Sequence, residues 1–407
     1  MEADILTDKP AEDRGESVSR MDPMLIGADA QQRPALVDLA FELAQRSAAF
    51  RSSLPTSLLP PLATLVRAMN CYYSNLIEGH NTHPIDIERA LRNEYSLNPE
   101  KRDLQIEAKA HIAVQEWIDA ANLENPPASR AALRELHRRF CELLPEDLLW
   151  VEDPDSGERE RLVPGMLRRR DVKVGQHIAI SPGAVPRFLD RFEEVYTGLG
   201  KSESVLAVAA AHHRLLWIHP FMVGNGRVAR LMSHAMLLRL LDTGAVWSIA
   251  RGLARRVNEY KSLLAACDRE RRNHLDGRGH LSEEALAAFT RFFLEVCLDQ
   301  VAFMQSLTQP EFLSTRIQMW AEEEMRLGLI PAKSDTILRA ILYRGELPRG
   351  EALLATGTGE RQSRRIVAAL LARGVLQSPS PRAPLRLTFP AALAHRWMPG
   401  LFPEKTS

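Results

Sequence analysis

At 407 residues the chain exceeds what one hydrophobic core usually organises, so two or three domains are expected. Hydrophobic residues make up 45% and charged residues 26%, which excludes a disordered or fibrous chain and fits a soluble globular one. Lys+Arg and Asp+Glu each number 52, so no overall field draws the molecule to nucleic acid or to an anionic membrane. Any polyanion site must be local.

Residues 1–34 are polar and charged, without the apolar stretch of a signal peptide, and are expected to form a flexible N-terminus. No segment approaches a membrane span; the apolar run 205–216 is broken by His212, His213 and Arg214. The four cysteines (Cys71, Cys141, Cys267 and Cys297) form no CxxC or Cys/His cluster, which argues for a reducing compartment and against structural zinc or a disulfide framework. A cytoplasmic protein without membrane contact is the expectation.

Along the chain, apolar residues at three- and four-residue spacing predict helices at 35–50, 62–76, 84–93 and 101–121, an N-terminal helical region covering 35–125. The same spacing recurs at 129–144, 186–197, 202–218, 228–241 and 282–307, within a core expected over 126–310. One stretch, 161–180, departs from it. Around Asp171-Val-Lys-Val-Gly-Gln-His-Ile small apolar and polar residues alternate, predicting a short β-hairpin bounded by Gly165 and Pro182. A lone hairpin in a helical domain is marginal by itself, which suggests a clamping task. The run Arg168-Arg169-Arg170 beside it is expected to be a solvated patch that could meet an acidic target.

A linker helix is expected at 311–332, followed by a separate domain over 333–407. There, three short helices at 334–343, 348–355 and 360–372 precede a hairpin formed by 375–378 and 385–389, the outline of a winged helix-turn-helix. From 333 to 390 ten Arg/Lys face four acids, a net +6 in a chain of net zero, so DNA binding stays open for this segment.

The segment His219-Pro-Phe-Met-Val223-Gly-Asn-Gly-Arg227-Val-Ala-Arg230 lies between two strongly helical stretches. Gly224 and Gly226 allow backbone angles at which successive N–H groups converge on one anion. The next helix adds its N-terminal dipole. Arg227 and Arg230, three apart, project from one face of its first turn and can both reach phosphate oxygens. His219 stands at the edge, the side chain most easily poised as a base near neutral pH. His212 and His213, adjacent on the preceding helix, face different directions and are expected to pack or hydrogen-bond rather than share a metal. Phe221 is expected to plug the loop into the core.

This stretch resembles the signature of the Fic family at every specified position except Val223, where the family has Asp or Glu. The resemblance runs from about Ala35 to Phe402. Ser74-Asn-Leu-Ile-Glu78-Gly79 resembles the family's inhibitory-helix pattern, and 172–178 looks like its flap. Trp247-Ser248, Tyr260 and 276–281 look like its post-motif region, and the tail is similar to the winged helix of many bacterial members. The implied fold is mainly α: a Fic helical core with a short β-hairpin flap, plus a C-terminal winged helix-turn-helix domain.

The resemblance implies transfer of AMP from ATP to a Ser, Thr or Tyr hydroxyl of a protein, including the chain itself. His219 would take the hydroxyl proton, while Gly224, Asn225 and Gly226 would hold the α- and β-phosphates. Arg227 would neutralise the β-phosphate and Arg230 the γ-phosphate. Glu78, with Ser74 in the same pattern, would act as an inhibitory switch by pairing with Arg230. A target protein would dock along the flap at 172–178 by strand addition. Homodimers are common in the family. The family's carboxylate at position 223 holds Mg²⁺; valine offers no oxygen, so no protein ligand for the metal is expected, Mg²⁺ would be weakly held, and transfer would be impaired. The competing function is a nucleotide-sensing, DNA-binding regulator with a catalytically weak Fic core. A third reading is removal of AMP, with Glu78 assisting a water.

Overall fold

The computed structural model describes residues 11–152, 157 and 159–403. The outer ends of the first and last expected regions, 1–10 and 404–407, lie outside the described residues.

The expectation of a free N-terminal arm is corrected for residues 11–32. Met21, Met24 and Ile26 are buried. Glu16 accepts from the Ser181 N–H at 2.8 Å and its hydroxyl at 2.5 Å, and the Tyr196 hydroxyl donates to Met24 O at 2.7 Å. Arg14 makes a two-pronged pair with Asp171, at 2.8 and 2.9 Å. The polar composition that read as solvated is matched by polar groups of the core, and the three apolar residues anchor it. Spread over six positions, those three carry no periodicity.

Helices α1 (Arg33–Ser53), α2 (Leu59–Ile77), α3 (Pro84–Leu91), α4 (Pro99–Asp119) and α5 (Arg130–Glu142) follow. Proline stands in the first turn of α1 to α4, where its missing N–H costs nothing. Asn98 and Ser129 cap α4 and α5 by accepting the N–H groups of Lys101 and Ala132 at 3.0 and 3.1 Å. Two antiparallel hairpins come next, β1 (Trp150–Glu152) with β2 (Arg159–Arg161) and β3 (Lys173–Val174) with β4 (His177–Ile178). The second is the expected hairpin. The first was not expected, because its strands are three residues each and neither Trp150-Val151-Glu152 nor Arg159-Glu160-Arg161 alternates apolar with polar.

Next come α6 (Val185–Thr197), α7 (Lys201–Ile218) and α8 (Asn225–Leu241). α7 and α8 are buried on nearly every face, as helices without a polar stripe must be, and they pack against each other at the centre. α9 (Ala250–Arg255) and α10 (Val257–Cys267) break at Arg256 and are too short to show much periodicity. α11 (Glu283–Thr308), capped by Ser282, packs along α1, and α12 (Pro310–Arg326) leads to the C-terminal module.

That module runs α13 (Ser334–Arg344), β5 (Glu346–Leu347), α14 (Ala352–Thr356), α15 (Glu360–Ala372), β6 (Leu376–Gln377) and β7 (Leu385–Leu387). Its sheet has the order β5–β7–β6, with β7 antiparallel to both neighbours. α16 (Ala394–Trp397) returns to α12, where Trp397 meets Trp320 edge-on at 5.2 Å. The tail then reaches the N-terminal helices: Leu401 O accepts from the Tyr73 hydroxyl at 3.0 Å, and Phe402 meets the Tyr72 ring edge-on at 5.7 Å. Among the described residues, no helix is long and apolar enough to cross a membrane.

Met21 is fully buried, so Met21→Ala is expected to lower the unfolding free energy by about 2–3 kcal/mol in urea titrations. A change below about 0.5 kcal/mol, the size of a surface effect, would show that the N-terminal strap is not part of the core.

Candidate active site

Helix α7 ends on His219, whose backbone is left-handed (φ 51°, ψ 61°) and whose N–H still reaches Leu215 O at 3.0 Å. Proline at 220 disfavours a further helical residue before it. A left-handed residue with a Cβ costs roughly 1–2 kcal/mol, so neighbours must hold it there. Arg168 does so. Its Nε donates to His219 O at 2.8 Å, its Nη atoms to Arg170 O at 2.9 Å and Ile180 O at 2.5 Å, and its backbone N–H to Pro220 O at 2.9 Å. The expectation of a solvated arginine patch is therefore corrected at Arg168, which is buried because its fork of donors matches a cluster of carbonyls. Arg170 pairs with Glu160 at 3.0 Å, and Arg169 also has a partner. Arg168 ties the motif loop to the base of the flap hairpin.

The loop is closed by Asn225. Its Oδ1 accepts the Phe221 N–H at 3.0 Å and its Nδ2 donates to Phe221 O at 2.7 Å. The Asn225 side chain is buried and engaged in shaping the turn. Its backbone N–H remains available. Gly224 takes φ 81°, a conformation that favours glycine. α8 starts at the next residue, so the N–H groups of Asn225, Gly226 and Arg227 have no helical acceptor, while Val228 N–H takes Gly224 O at 2.9 Å. Three adjacent donors and the helix dipole make an anion cradle.

Phe221 is fully buried, as expected of a plug, and stacks on the His137 ring at 4.0 Å between centroids. His137 Nδ1 accepts the Gly165 N–H at 2.9 Å, which leaves the proton on Nε2. Burial pushes His137 down to about 4. Nothing in the sequence singled out this residue; its two contacts lie 28 and 84 positions away by number.

Arg230 is buried. Its Nε donates to Ser74 Oγ at 2.8 Å, and Nη2 donates to Glu78 Oε1 at 2.5 Å and Ser74 O at 3.3 Å. The expected proximity of Ser74, Glu78 and Arg230 is thus present. Burial by itself would raise the Glu78 pKa, but Arg230, helped by Arg227 and His80, holds it below the usual carboxylate range. A Cβ at position 226 would stand 2.4 Å from Glu78 Oε1, so the carboxylate lies directly over the cradle and only glycine makes room for it. The Glu78 side chain is 37% exposed, so water reaches one side of the pair.

Arg227 is engaged too, by residues the sequence did not suggest. Its Nη2 donates to Glu107 Oε2 at 2.6 Å and lies 3.3 Å from His80 Nδ1, and His80 Nδ1 is 3.2 Å from the same Glu107 oxygen. Burial would raise Glu107, yet His80 and Arg227 hold it below its ordinary value. Both arginines meant for phosphates therefore face carboxylates.

His219 Nδ1 lies 3.3 Å from Leu216 O; donating there would leave the Nε2 lone pair open. Burial, with help from Arg168 and His177, pushes its pKa down to about 4, so the ring is neutral at pH 7. Val223 is 41% exposed and offers only methyl groups. Position 223 therefore supplies no oxygen to a hard cation. The flap presents exposed Val174 and Ile178, and its His177 Nε2 lies 2.8 Å from Trp217 O. His212 bridges Ser233 Oγ (2.9 Å) and the Tyr260 hydroxyl (2.7 Å), and His213 meets Asp268 at 3.0 Å, so both serve hydrogen bonding.

Residues 127–237 match the model of the Fic/DOC family. The chain is 29% identical over 171 residues to "Protein adenylyltransferase Fic" of Drosophila grimshawi, covering 41% of this chain and 32% of that protein. It is 30% identical over 171 residues to the protein of the same name from Drosophila mojavensis, covering 41% and 31%. The chain thus spans about a third of the length of these relatives. Among solved structures, a Fic family protein from Desulfovibrio desulfuricans G20 superposes with a TM-score of 0.51 at 18% identity, over 89% of this chain and 98% of that one. Fic-1 from C. elegans gives a TM-score of 0.51 at 16% identity, over 68% and 74%. The fold is that of the Fic proteins, with the family pattern carried by 127–237.

Four buried histidines and the half-buried His219 are held well below the ordinary 6.5: His111 and His212 at about 3, and His137, His213 and His219 at about 4. Between pH 6.5 and 4 the unfolded chain binds protons there that the folded chain does not, so stability falls as pH drops through this window. Each histidine contributes at most about 1.4 kcal/mol per pH unit. Urea midpoints are expected to fall steadily from pH 7 to pH 4.5; a flat profile would contradict the buried neutral rings.

Proposed function

We propose that the chain is an autoinhibited protein adenylyltransferase that moves AMP from ATP onto a protein Ser, Thr or Tyr hydroxyl. The observation that carries this reading is a neutral His219, with its Nε2 open, beside three unpaired N–H groups at the start of α8. Similarity to proteins named adenylyltransferase supports it further. In the reaction the hydroxyl oxygen bonds to the α-phosphorus, the bond to the β-phosphate oxygen breaks, and pyrophosphate leaves. His219 Nε2 takes the hydroxyl proton. The first-turn N–H groups receive the developing charge on the phosphate oxygens, and Arg227 and Arg230 neutralise the departing phosphates. The flap at 172–178 holds the target segment, its exposed Val174 and Ile178 giving apolar footing.

Inhibition in this reading has two parts. Glu78 occupies Arg230, and Glu107 with His80 occupies Arg227. A nucleotide must displace both carboxylates to seat its terminal phosphates. Val223 adds a separate weakness, because it cannot replace the carboxylate of the family pattern.

Intact-mass measurements after incubation with ATP, CTP, GTP and UTP test the reading. Glu78→Gly is expected to raise self-modification by about ten-fold or more, a change of about 1.4 kcal/mol in the barrier. Adding Glu107→Gln should raise it again. His219→Ala in the Glu78→Gly background should lower it by about 10²-fold or more. No mass gain in a folded, ATP-binding Glu78→Gly variant with any of the four nucleotides would remove the transferase reading.

Val223→Asp in the Glu78→Gly background is expected to add Mg²⁺-dependent rate, on the order of 10²-fold. Unchanged turnover with ATP binding intact would show that Val223 does not limit the enzyme.

A further inference from the structure

The C-terminal module holds an excess of positive charge that its own acids do not neutralise. Its four acids are each matched locally: Asp335 with Arg339 at 3.7 Å, Glu346 with Arg386 at 2.9 Å, Glu360 with Arg364 at 2.5 Å, and Glu351 with Arg344. Arg373 turns back to Glu324 of α12. Once these are set aside, Lys333, Arg349, Arg361, Arg365 and Arg382 remain. Arg361 and Arg365, four apart, lie exposed on one face of α15, and Arg382 is exposed in the loop 378–384 between β6 and β7. Arg349 reaches the base of that loop, with its Nε 3.4 Å from Ser378 Oγ.

The face of α15 that carries them is open. Its inner face, Ser363, Ile366, Val367 and Leu370, is buried against α13, α14 and β6. Its outer face bears Arg361, Arg364, Arg365, Ala368 and Ala372, all exposed. Two alanines in line with the arginines let a partner approach the helix closely. At 13 residues the helix is about 20 Å long and about 10–12 Å across with its side chains, a rod that a DNA major groove, about 12 Å wide, admits. The loop bearing Arg382 joins β6 to β7 in the same module.

We infer that α15 and the loop 378–384 form a docking surface for duplex DNA, with Arg361 and Arg365 entering the groove and Arg349 and Arg382 contacting backbone phosphates. Arginine suits both tasks, since its planar fork donates in pairs to guanine edges and to phosphate oxygens. Single-stranded nucleic acid is a poorer fit. Neither α15 nor the loop 378–384 carries an aromatic side chain on which unpaired bases could stack. The binding is electrostatic first, so it weakens linearly in log–log form as salt rises.

The test is fluorescence anisotropy of the full chain with a labelled 30-base-pair duplex of mixed sequence, from 25 to 200 mM salt. Binding at low salt with a negative salt slope is expected. Arg361→Ala with Arg365→Ala should weaken it at least about ten-fold at low salt, and Arg382→Ala should reduce the slope by about one. Arg382→Ala alone should give a smaller loss. All four arginines are exposed or half-buried, and thermal melting of each variant separates a folding defect from a binding defect. No binding by the wild-type chain at 25 mM salt would overturn the proposal. Wild-type binding that these variants leave unchanged would do the same, as would tighter binding to a single-stranded RNA of equal length.

Discussion

A guanidinium cannot be taken out of water without partners, and Arg230 is almost entirely out of it. It answers this constraint by drawing Ser74 and Glu78 from α2 onto the first turn of α8. The arrangement of the site follows from that demand. α2 must run past α8 with the Ser74 hydroxyl facing inward, and Gly226 must lack a side chain so that the carboxylate can lie over it. The Tyr260 hydroxyl and His212 add a second polar layer beneath the same guanidinium. Without an anion the charge is satisfied by the protein itself, and an incoming phosphate would replace one set of acceptors with another. The exchange is feasible because Glu78 is partly exposed, where an ion pair stabilises weakly and a carboxylate can swing into water.

Much of the site was legible in the chain because its chemistry is local. Twelve consecutive residues contain the proposed base His219, the two glycines and both arginines. The positions of α2 to α8 also followed from apolar spacing, with ends that differ by up to three residues. What stayed hidden depends on distance along the chain. Glu107 lies 120 positions from Arg227, and Arg168 lies 51 from His219; neither spacing carries a pattern. Arg168 was misread because three arginines in a row look solvated, and no local signal says that one of them meets four carbonyls. The scaffold task of the Asn225 amide was hidden as well, because nothing in the spacing shows that it matches the two backbone groups of Phe221.

The N-terminal strap and Arg168 act on the same object from two sides. Arg14 grips Asp171 just before β3, and Glu16 grips Ser181 just after β4, so the two ends of the flap are fixed to one short segment. Arg168 fixes its base to His219 O. The hairpin between them has only two residues per strand and exposes its apolar side chains. Such a ribbon has little stability alone. Its position relative to the base therefore rests on anchors outside the ribbon.

The contact between Tyr73 and Leu401 joins residues 328 positions apart, one residue before Ser74. Ribosomes add roughly 5–20 residues each second, so α2 waits on the order of 20–60 s for this support. During that interval the whole 219–230 loop has already been made. The support that Leu401 gives α2 is thus added late, after both partners of the Glu78–Arg230 pair have been made.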